Sequence, residues 1–189
     1  MGDEIRMLRT VTVTKENFAP YGDIMYPYDD CDLPMKDGET PAFTFPPEDG
    51  NKGNLPLLWM MRLRDMGLVF DTINRHQRVT QAFGVVSDDD WYMGFAPPSE
   101  PGAAGMDFDP SSIVGFRIPP KVMVKLHCGT WHAGPYFARP GSMTFFNLEC
   151  RATNEEDKDD YVFTGKCGYK YMFDVAMAEA TRDPEEANY

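Results

Sequence analysis

The chain has 189 residues, of which 42% are hydrophobic and 25% are charged, and its formal net charge is −12. This composition is sufficient for one domain with a proper core and excludes a chain that is disordered throughout. An acidic surface repels phosphate backbones and anionic lipid, so the charge argues against a nucleic-acid-binding or membrane-surface protein.

The first predicted elements are a strand at residues 8–13 and a short helical turn at residues 15–22 that Thr14 caps and Gly22 ends. Residues 27–56 are rich in proline, glycine and acidic residues, which predicts a long loop or a wrapped edge. No segment resembles a secretory signal or reaches the roughly 20 apolar residues that cross a bilayer. The cysteines form no CxxC pair, so we predict reduced thiols and a cytoplasmic protein.

From residue 57 onward, short strands follow one another, separated by turn residues. Several short strands at regular spacing without intervening helices predict an all-β sandwich or barrel. The strands are predicted near residues 57–64, 68–76, 81–86, 91–96, 113–118, 121–127, 130–137, 142–150 and 161–164.

The predicted domain organisation is a single domain over residues 1–189 with its core at about 8–165. A second long loop is expected at 97–112, a solvated turn at 154–160, and a partly helical tail at 175–189.

All three histidines, His76, His127 and His132, lie at or beside predicted strand ends. Because alternate residues of a strand share a face, Lys125 is predicted on the same face as His127, and Glu149 lies on a later strand. If these faces line one barrel mouth, imidazoles, an amine, a carboxylate and guanidinium groups converge there. Such a set suits proton transfer on a small anionic substrate. A hydrogen-bonded structural role is the alternative for each histidine.

Four sequence blocks are similar to those of one known family in both order and separation. Together they resemble the ureidoglycolate lyase (ureidoglycolate hydrolase) family of cupins, and they are most similar to its plant-type branch. Ala133 and Leu126 depart from the family signature. The blocks are FAPYGDIM at 18–25, NRHQRVTQAFGVV at 74–86, VKLHCGTWHAGPYF at 124–137 and TFFNLE at 144–149.

The resemblance implies a jelly-roll cupin barrel or β-sandwich with short N-terminal and C-terminal helical pieces, commonly a homodimer. It implies a carbon–nitrogen lyase that cleaves ureidoglycolate, or a close small anionic relative, to glyoxylate and urea in allantoin and purine breakdown. The catalytic residues implied by position are His132, His127, Lys125 and Glu149. The implied substrate-binding residues are Arg75, Arg62, Gln81, Trp131 and Tyr92.

Within this set, the base is expected to be His132 or His127, and the acid Lys125 or Glu149. The substrate carboxylate is assigned to one of the two arginines, because a guanidinium group binds a carboxylate through two parallel hydrogen bonds.

The resemblance also raises a divalent metal ion such as nickel, although the sequence does not require one. The ligand positions of metal-binding cupins correspond here to Asn74, His76, Gln81 and His132. Two of these four residues are neutral amides, which are poor ligands. His127 could complete a set of three nitrogen ligands, namely His76, His127 and His132.

Two other classes of function remain open at this point. One is a non-catalytic cupin that acts as a small-ligand-binding or scaffold protein, for which the long acidic loops and 13 methionines could supply surfaces. The other is a metal-dependent oxygenase or isomerase, which requires tightly bound metal.

Overall fold

The computed structural model describes residues 3–27, 42–46, 52–98, 109–182 and 184. The helices among these residues are α1 Lys15–Phe18, α2 Thr153–Glu156, α3 Phe163–Cys167 and α4 Val175–Ala180, with 3₁₀ turns at Lys52–Asn54 and Pro110–Ser112. The strands are β1 Glu4–Leu8, β2 Thr10–Thr12, β3 Gly22–Met25, β4 Pro56–Arg64, β5 Val69–Phe70, β6 Thr72–Arg75, β7 Ala82–Val85, β8 Trp91–Ala96, β9 Val114–Ile118, β10 Met123–Leu126, β11 Trp131–Tyr136, β12 Ser142–Cys150, β13 Asp159–Val162 and β14 Tyr169–Phe173.

Two large sheets form a sandwich, and a small third sheet covers part of it. The first large sheet has the strand order β3-β10-β7-β12-β4, and all of its pairs are antiparallel. The second has the order β13-β6-β11-β8-β9-β2, in which only β2 and β9 are parallel. The third sheet has the order β1-β14-β5.

The second large sheet is buried on both faces, as strand β8 shows. Successive residues of a strand point to opposite faces. Accordingly, Trp91, Met93 and Phe95 of β8 pack into the core between the two large sheets. Tyr92 and Ala96 pack into a second apolar cluster that includes residues of β14. We call these the inner core and the outer cluster.

This cupin-like β-sandwich confirms the predicted all-β fold and most of its strands. The short helical pieces near the two ends are also present as α1 and α4. Three strands were not predicted, namely β1, β3 and β14. Of these, β1 and β14 pair with each other in parallel. The predicted strand at 161–164 is wrong in its second half, because α3 begins at Phe163. Most of the predicted loops at 27–56 and 97–112 lies outside the described residues.

The N-terminal helical turn is shorter than predicted. Thr14 caps it as expected, with a reciprocal capping box to Asn17, but the helix ends at Phe18. Gly22 does not terminate the helix and instead begins β3. A side chain at this position would overlap the carbonyl group of Lys125, so glycine permits the close pairing of β3 with β10.

The segment at 154–160 is not the solvated turn that its charges predict. It contains most of α2 and the first residues of β13, and Asp157 between them is buried. The backbone N–H groups of Gln77 and Arg78 donate to the Asp157 carboxylate, at 2.9 and 2.8 Å. These bonds fix the α2 segment against the loop that joins β6 to β7.

Among the described residues, no helix is both long enough and apolar enough to cross a membrane.

Candidate active site between the two large sheets

Two of the three histidines meet at one end of the inner core. His132 of β11 is the direct cross-strand partner of Asn74 of β6, so both side chains point to the same face. His76 lies two residues beyond Asn74, and its ring centre is 5.3 Å from that of His132. The ring of Phe83 from the opposite sheet lies 6.0 Å from His132. The histidine pair therefore lies between the two large sheets.

Backbone carbonyl groups fix the protonation of both imidazole rings. His76 Nδ1 lies 2.6 Å from the Asp157 carbonyl oxygen, and His132 Nδ1 lies 3.2 Å from that of Thr130. Because a carbonyl oxygen can only accept a hydrogen bond, each neutral ring carries its proton on Nδ1. Each Nε2 atom consequently keeps a lone pair that can accept a proton or bind a ligand.

Both histidines are held in the neutral form. Burial lowers the pKa of His76, and the hydrogen bond to Asp157 opposes this effect. Burial, and to a lesser extent the neighbouring His76, lower the pKa of His132 to about 3. At neutral pH the pair is therefore a set of two uncharged acceptors.

The lowered pKa values predict a loss of stability in acid. An unfolded histidine binds a proton near pH 6.5, whereas folded His132 does so only near 3, so acidification between these values favours the unfolded chain. We expect His132→Gln to remove about 2 kcal/mol of the decrease in unfolding free energy between pH 7 and pH 5. Urea unfolding at both pH values measures this difference. An identical pH dependence in the wild type and the variant would contradict it.

A buried carboxyl group lies at the same end of the inner core. Glu149 of β12 is 3% exposed. Its Oε1 atom accepts a hydrogen bond from Trp59 Nε1 at 3.1 Å, and its Oε2 atom accepts one from Gln81 Nε2 at 3.0 Å. Asn154 Nδ2 lies 3.4 Å from both oxygens. Burial raises the pKa of Glu149, and the surrounding N–H donors oppose this effect. A raised pKa suits a group that must deliver a proton.

Helix α2 and Asp157 connect the carboxyl group to the histidine pair. Asn154 of α2 contacts Glu149, which belongs to the first large sheet. The carbonyl of Asp157, just beyond α2, accepts the hydrogen bond from His76 of the second sheet. One short segment thus spans both sheets at the end of the sandwich where these side chains meet.

Strand alternation places Lys125 and His127 on the opposite face of β10 from the inner core. Val124 faces the inner core, whereas Lys125 Nζ forms an ion pair with Asp23 Oδ2 at 2.7 Å. His127 is half-buried, and its Nε2 atom lies 3.3 Å from the carbonyl oxygen of Ala19. Neither side chain is brought to the histidine pair.

Arg75 and Trp131 face the outer cluster. Arg75 is fully buried, donates from Nε to Asp159 Oδ2 at 2.8 Å, and has its guanidinium carbon 4.7 Å from the centre of the Trp131 ring. Trp131 precedes His132 on β11 and therefore points away from it. Trp131 belongs to the outer cluster, and the guanidinium group of Arg75 packs on its ring.

Tyr92 and Arg62 also lie away from the histidine pair. Tyr92 packs in the outer cluster. Arg62 is exposed on β4 between Met61 and Leu63, which pack against the inner core. The expectation of one shared cavity is therefore corrected for Lys125, His127, Arg75, Arg62, Trp131 and Tyr92.

Several residues of the site were not among the predicted ones. Asn147 is 3% exposed and accepts a hydrogen bond from Gln81 at 3.1 Å. Because Asn147 lies two residues before Glu149 on the same strand, strand alternation alone would have predicted it on the same face. Trp59 of β4 is the cross-strand partner of Asn147 on β12. No sequence pattern marked Trp59 as a residue of the site.

The side chains around the histidine pair are a poor match to a tightly bound metal ion. Within the described part of the chain, no group of three or more His, Cys, Asp or Glu side chains could hold one. His127 does not complete the predicted set of three nitrogens. Two imidazole Nε2 atoms and the oxygen of Gln81 remain as donors, and divalent transition metals commonly take three or four protein ligands.

Comparison with known proteins identifies the family. One solved structure to which the chain is similar is vicilin from Corylus avellana (hazelnut), with 14% sequence identity and a TM-score of 0.37. The match covers 60% of this chain but only 27% of the vicilin chain. No curated protein matches at a significant level. The family model for ureidoglycolate lyase matches residues 5–168, which include all the cavity residues named above. The family resemblance seen in the sequence is thereby confirmed, and the chain belongs to the ureidoglycolate lyase family.

Proposed function

We propose that the carbon–nitrogen bond of ureidoglycolate is cleaved at the polar site between the two large sheets, formed by His76, His132, Gln81 and Glu149. The observation that carries this proposal is the presence, at one end of the inner core, of two neutral imidazoles and a buried carboxyl group with a raised pKa. Groups whose environments favour opposite proton-transfer roles are what an acid–base reaction requires.

Cleavage of ureidoglycolate needs one base and one acid. The base removes the hydroxyl proton, the oxygen electrons form the aldehyde carbonyl, and the carbon–nitrogen bond breaks. The departing nitrogen takes a proton from the acid, so the products are glyoxylate and urea. In our proposal, Nε2 of the His76–His132 pair accepts the first proton, and Glu149 supplies the second.

We propose that Arg78 binds the substrate carboxylate in place of the two arginines expected from the sequence. Arg78 follows His76 by two residues and is fixed by its backbone to the α2 segment. Its guanidinium group is about half exposed, and its ion-pair distances to Glu156 and Asp157 are 3.7 and 3.9 Å. Such loose pairs leave the group able to bind a carboxylate.

For Arg78→Met, we expect the KM for ureidoglycolate to rise about tenfold or more while kcat changes much less, because the carboxylate does not react. Initial-rate kinetics measure both constants. Arg62→Met, on the exposed face of β4, is the matched control and should retain the wild-type KM. A reversed pattern, with the effect at Arg62, would contradict this assignment.

The homodimer, the plant-type branch and the cytoplasmic location also remain proposals. Edge strand β4 exposes 64% of Leu58 and 55% of Met60, which supports a surface covered by a second subunit. Light scattering of the purified protein measures the mass directly.

The function is tested by mixing purified protein with ureidoglycolate and following glyoxylate release, with and without added nickel. We expect release well above the spontaneous rate, and no dependence on nickel or on a chelator, since the donor set is poor. Release no faster than the spontaneous rate under both conditions would overturn the proposed activity and favour a non-catalytic, ligand-binding cupin.

A further inference from the structure

The carboxamide group of Gln81 is buried, and only its nitrogen atom forms hydrogen bonds to the described residues. Its side chain is 4% exposed. The Nε2 atom donates to Asn147 Oδ1 at 3.1 Å and to Glu149 Oε2 at 3.0 Å. Its Oε1 atom is buried and has no hydrogen-bond partner among the residues that the structure describes.

The orientation of this amide is fixed by its neighbours. Rotating it by half a turn would bring Oε1 towards Asn147 Oδ1, which can only accept a hydrogen bond whatever the protonation state of Glu149. The nitrogen therefore stays on the side of Glu149, and the oxygen remains the free end. A buried polar atom without a partner is unfavourable, and such atoms in native proteins commonly mark a functional contact.

The two histidines of the site also offer acceptors. Nε2 of His76 and Nε2 of His132 each keep a lone pair, because their Nδ1 atoms donate to backbone carbonyls. A ligand that complements this set must present several N–H donors. A ureido group, –NH–CO–NH₂, carries donors on both of its nitrogens, whereas an ester or a simple hydroxy acid carries none there.

We propose that Gln81 determines specificity for the ureido group, with its Oε1 atom accepting a hydrogen bond from a ureido N–H. This inference rests on the proposed site but goes beyond it, since an acid–base pair alone does not distinguish a ureido group from other leaving groups. A site built to pair with a buried donor rejects analogues that lack it, because its own polar atom is then left unpaired.

The test uses ligands that cannot react. N-Carbamoylglycine is ureidoglycolate without its hydroxyl group. Succinamate replaces the internal N–H of this ligand by CH₂, and N-acetylglycine replaces the terminal NH₂ by CH₃. Calorimetry should show that the wild-type protein binds N-carbamoylglycine about tenfold or more tightly than at least one of the two analogues.

Gln81→Met keeps the length of the side chain and removes the acceptor, so it should bring the three affinities within about twofold of one another. Gln77→Met is the matched control, because the Gln77 amide instead donates to Asp159 at 2.8 Å, and it should keep the wild-type preference. Equal binding of all three ligands by the wild-type protein, or an unchanged preference in Gln81→Met, would overturn the inference.

Glyoxylate release from ureidoglycolate is measured separately, which keeps the two claims distinct. A ureido preference that depends on Gln81, without glyoxylate release, would retain the binding role and reject the proposed reaction. Glyoxylate release without any ureido preference would retain the proposed reaction and reject the binding role of Gln81.

Discussion

The substitution His132→Gln should lower kcat/KM for ureidoglycolate by about 100-fold or more, because a positioned base typically contributes 10²–10⁴-fold. Glutamine fills a similar volume and remains polar, but it cannot accept the hydroxyl proton. The variant should still fold at neutral pH, where the histidine is uncharged. Initial rates, corrected for spontaneous decay of the substrate, measure the effect.

His127→Gln provides the matched control, since it is the same substitution at a histidine that faces away from the inner core. His127 contacts the Ala19 carbonyl outside the inner core, so its kcat/KM should stay within about twofold of the wild-type value. A large loss in His127→Gln together with a small loss in His132→Gln would show that the inner cavity is not the catalytic one.

The second large effect is expected for Glu149→Gln, which should reduce kcat by about 100-fold. Glutamine keeps the shape of the side chain and an oxygen that can accept from Trp59 or Gln81, but it cannot protonate the departing nitrogen. The pH profile gives an independent readout. Because the acid must carry its proton, wild-type kcat/KM should fall as the pH rises above the raised pKa of Glu149.

This decline at higher pH should disappear in Glu149→Gln, whose remaining activity no longer depends on that proton. Lys125→Met is the control, because Lys125 was the other candidate acid and is paired with Asp23 outside the cavity. It should retain both the rate and the pH profile of the wild type. If kcat/KM of Glu149→Gln still fell at higher pH, another group would be responsible for the fall.

The alternating pattern of the strands was enough to predict the fold and part of the site. Asn147 and Glu149 alternate with outward-facing residues along β12, and both are buried as expected for one face. His76 and His132 lie together at one end of the inner core, although 55 residues separate them along the chain. Short apolar runs broken by turn residues also located most of the strands.

The pattern could not show which face of each strand is the inner one. Arg75 and His76 are neighbours, as are Trp131 and His132, and each pair divides between the two faces of the same sheet. Both faces are buried, because β14 covers the outer side, so polarity did not distinguish them. A strand buried on both faces reads as a continuous apolar run, and only long-range packing decides its orientation.

The location of bound N-carbamoylglycine in a crystal of this protein is the most direct test of the inner cavity as the active site. We expect the ligand between the two large sheets, with its nitrogen atoms near Gln81 and the His76–His132 pair and its carboxylate towards Arg78. A ligand bound instead on the outer face of β10, beside Lys125 and His127, would contradict the assignment.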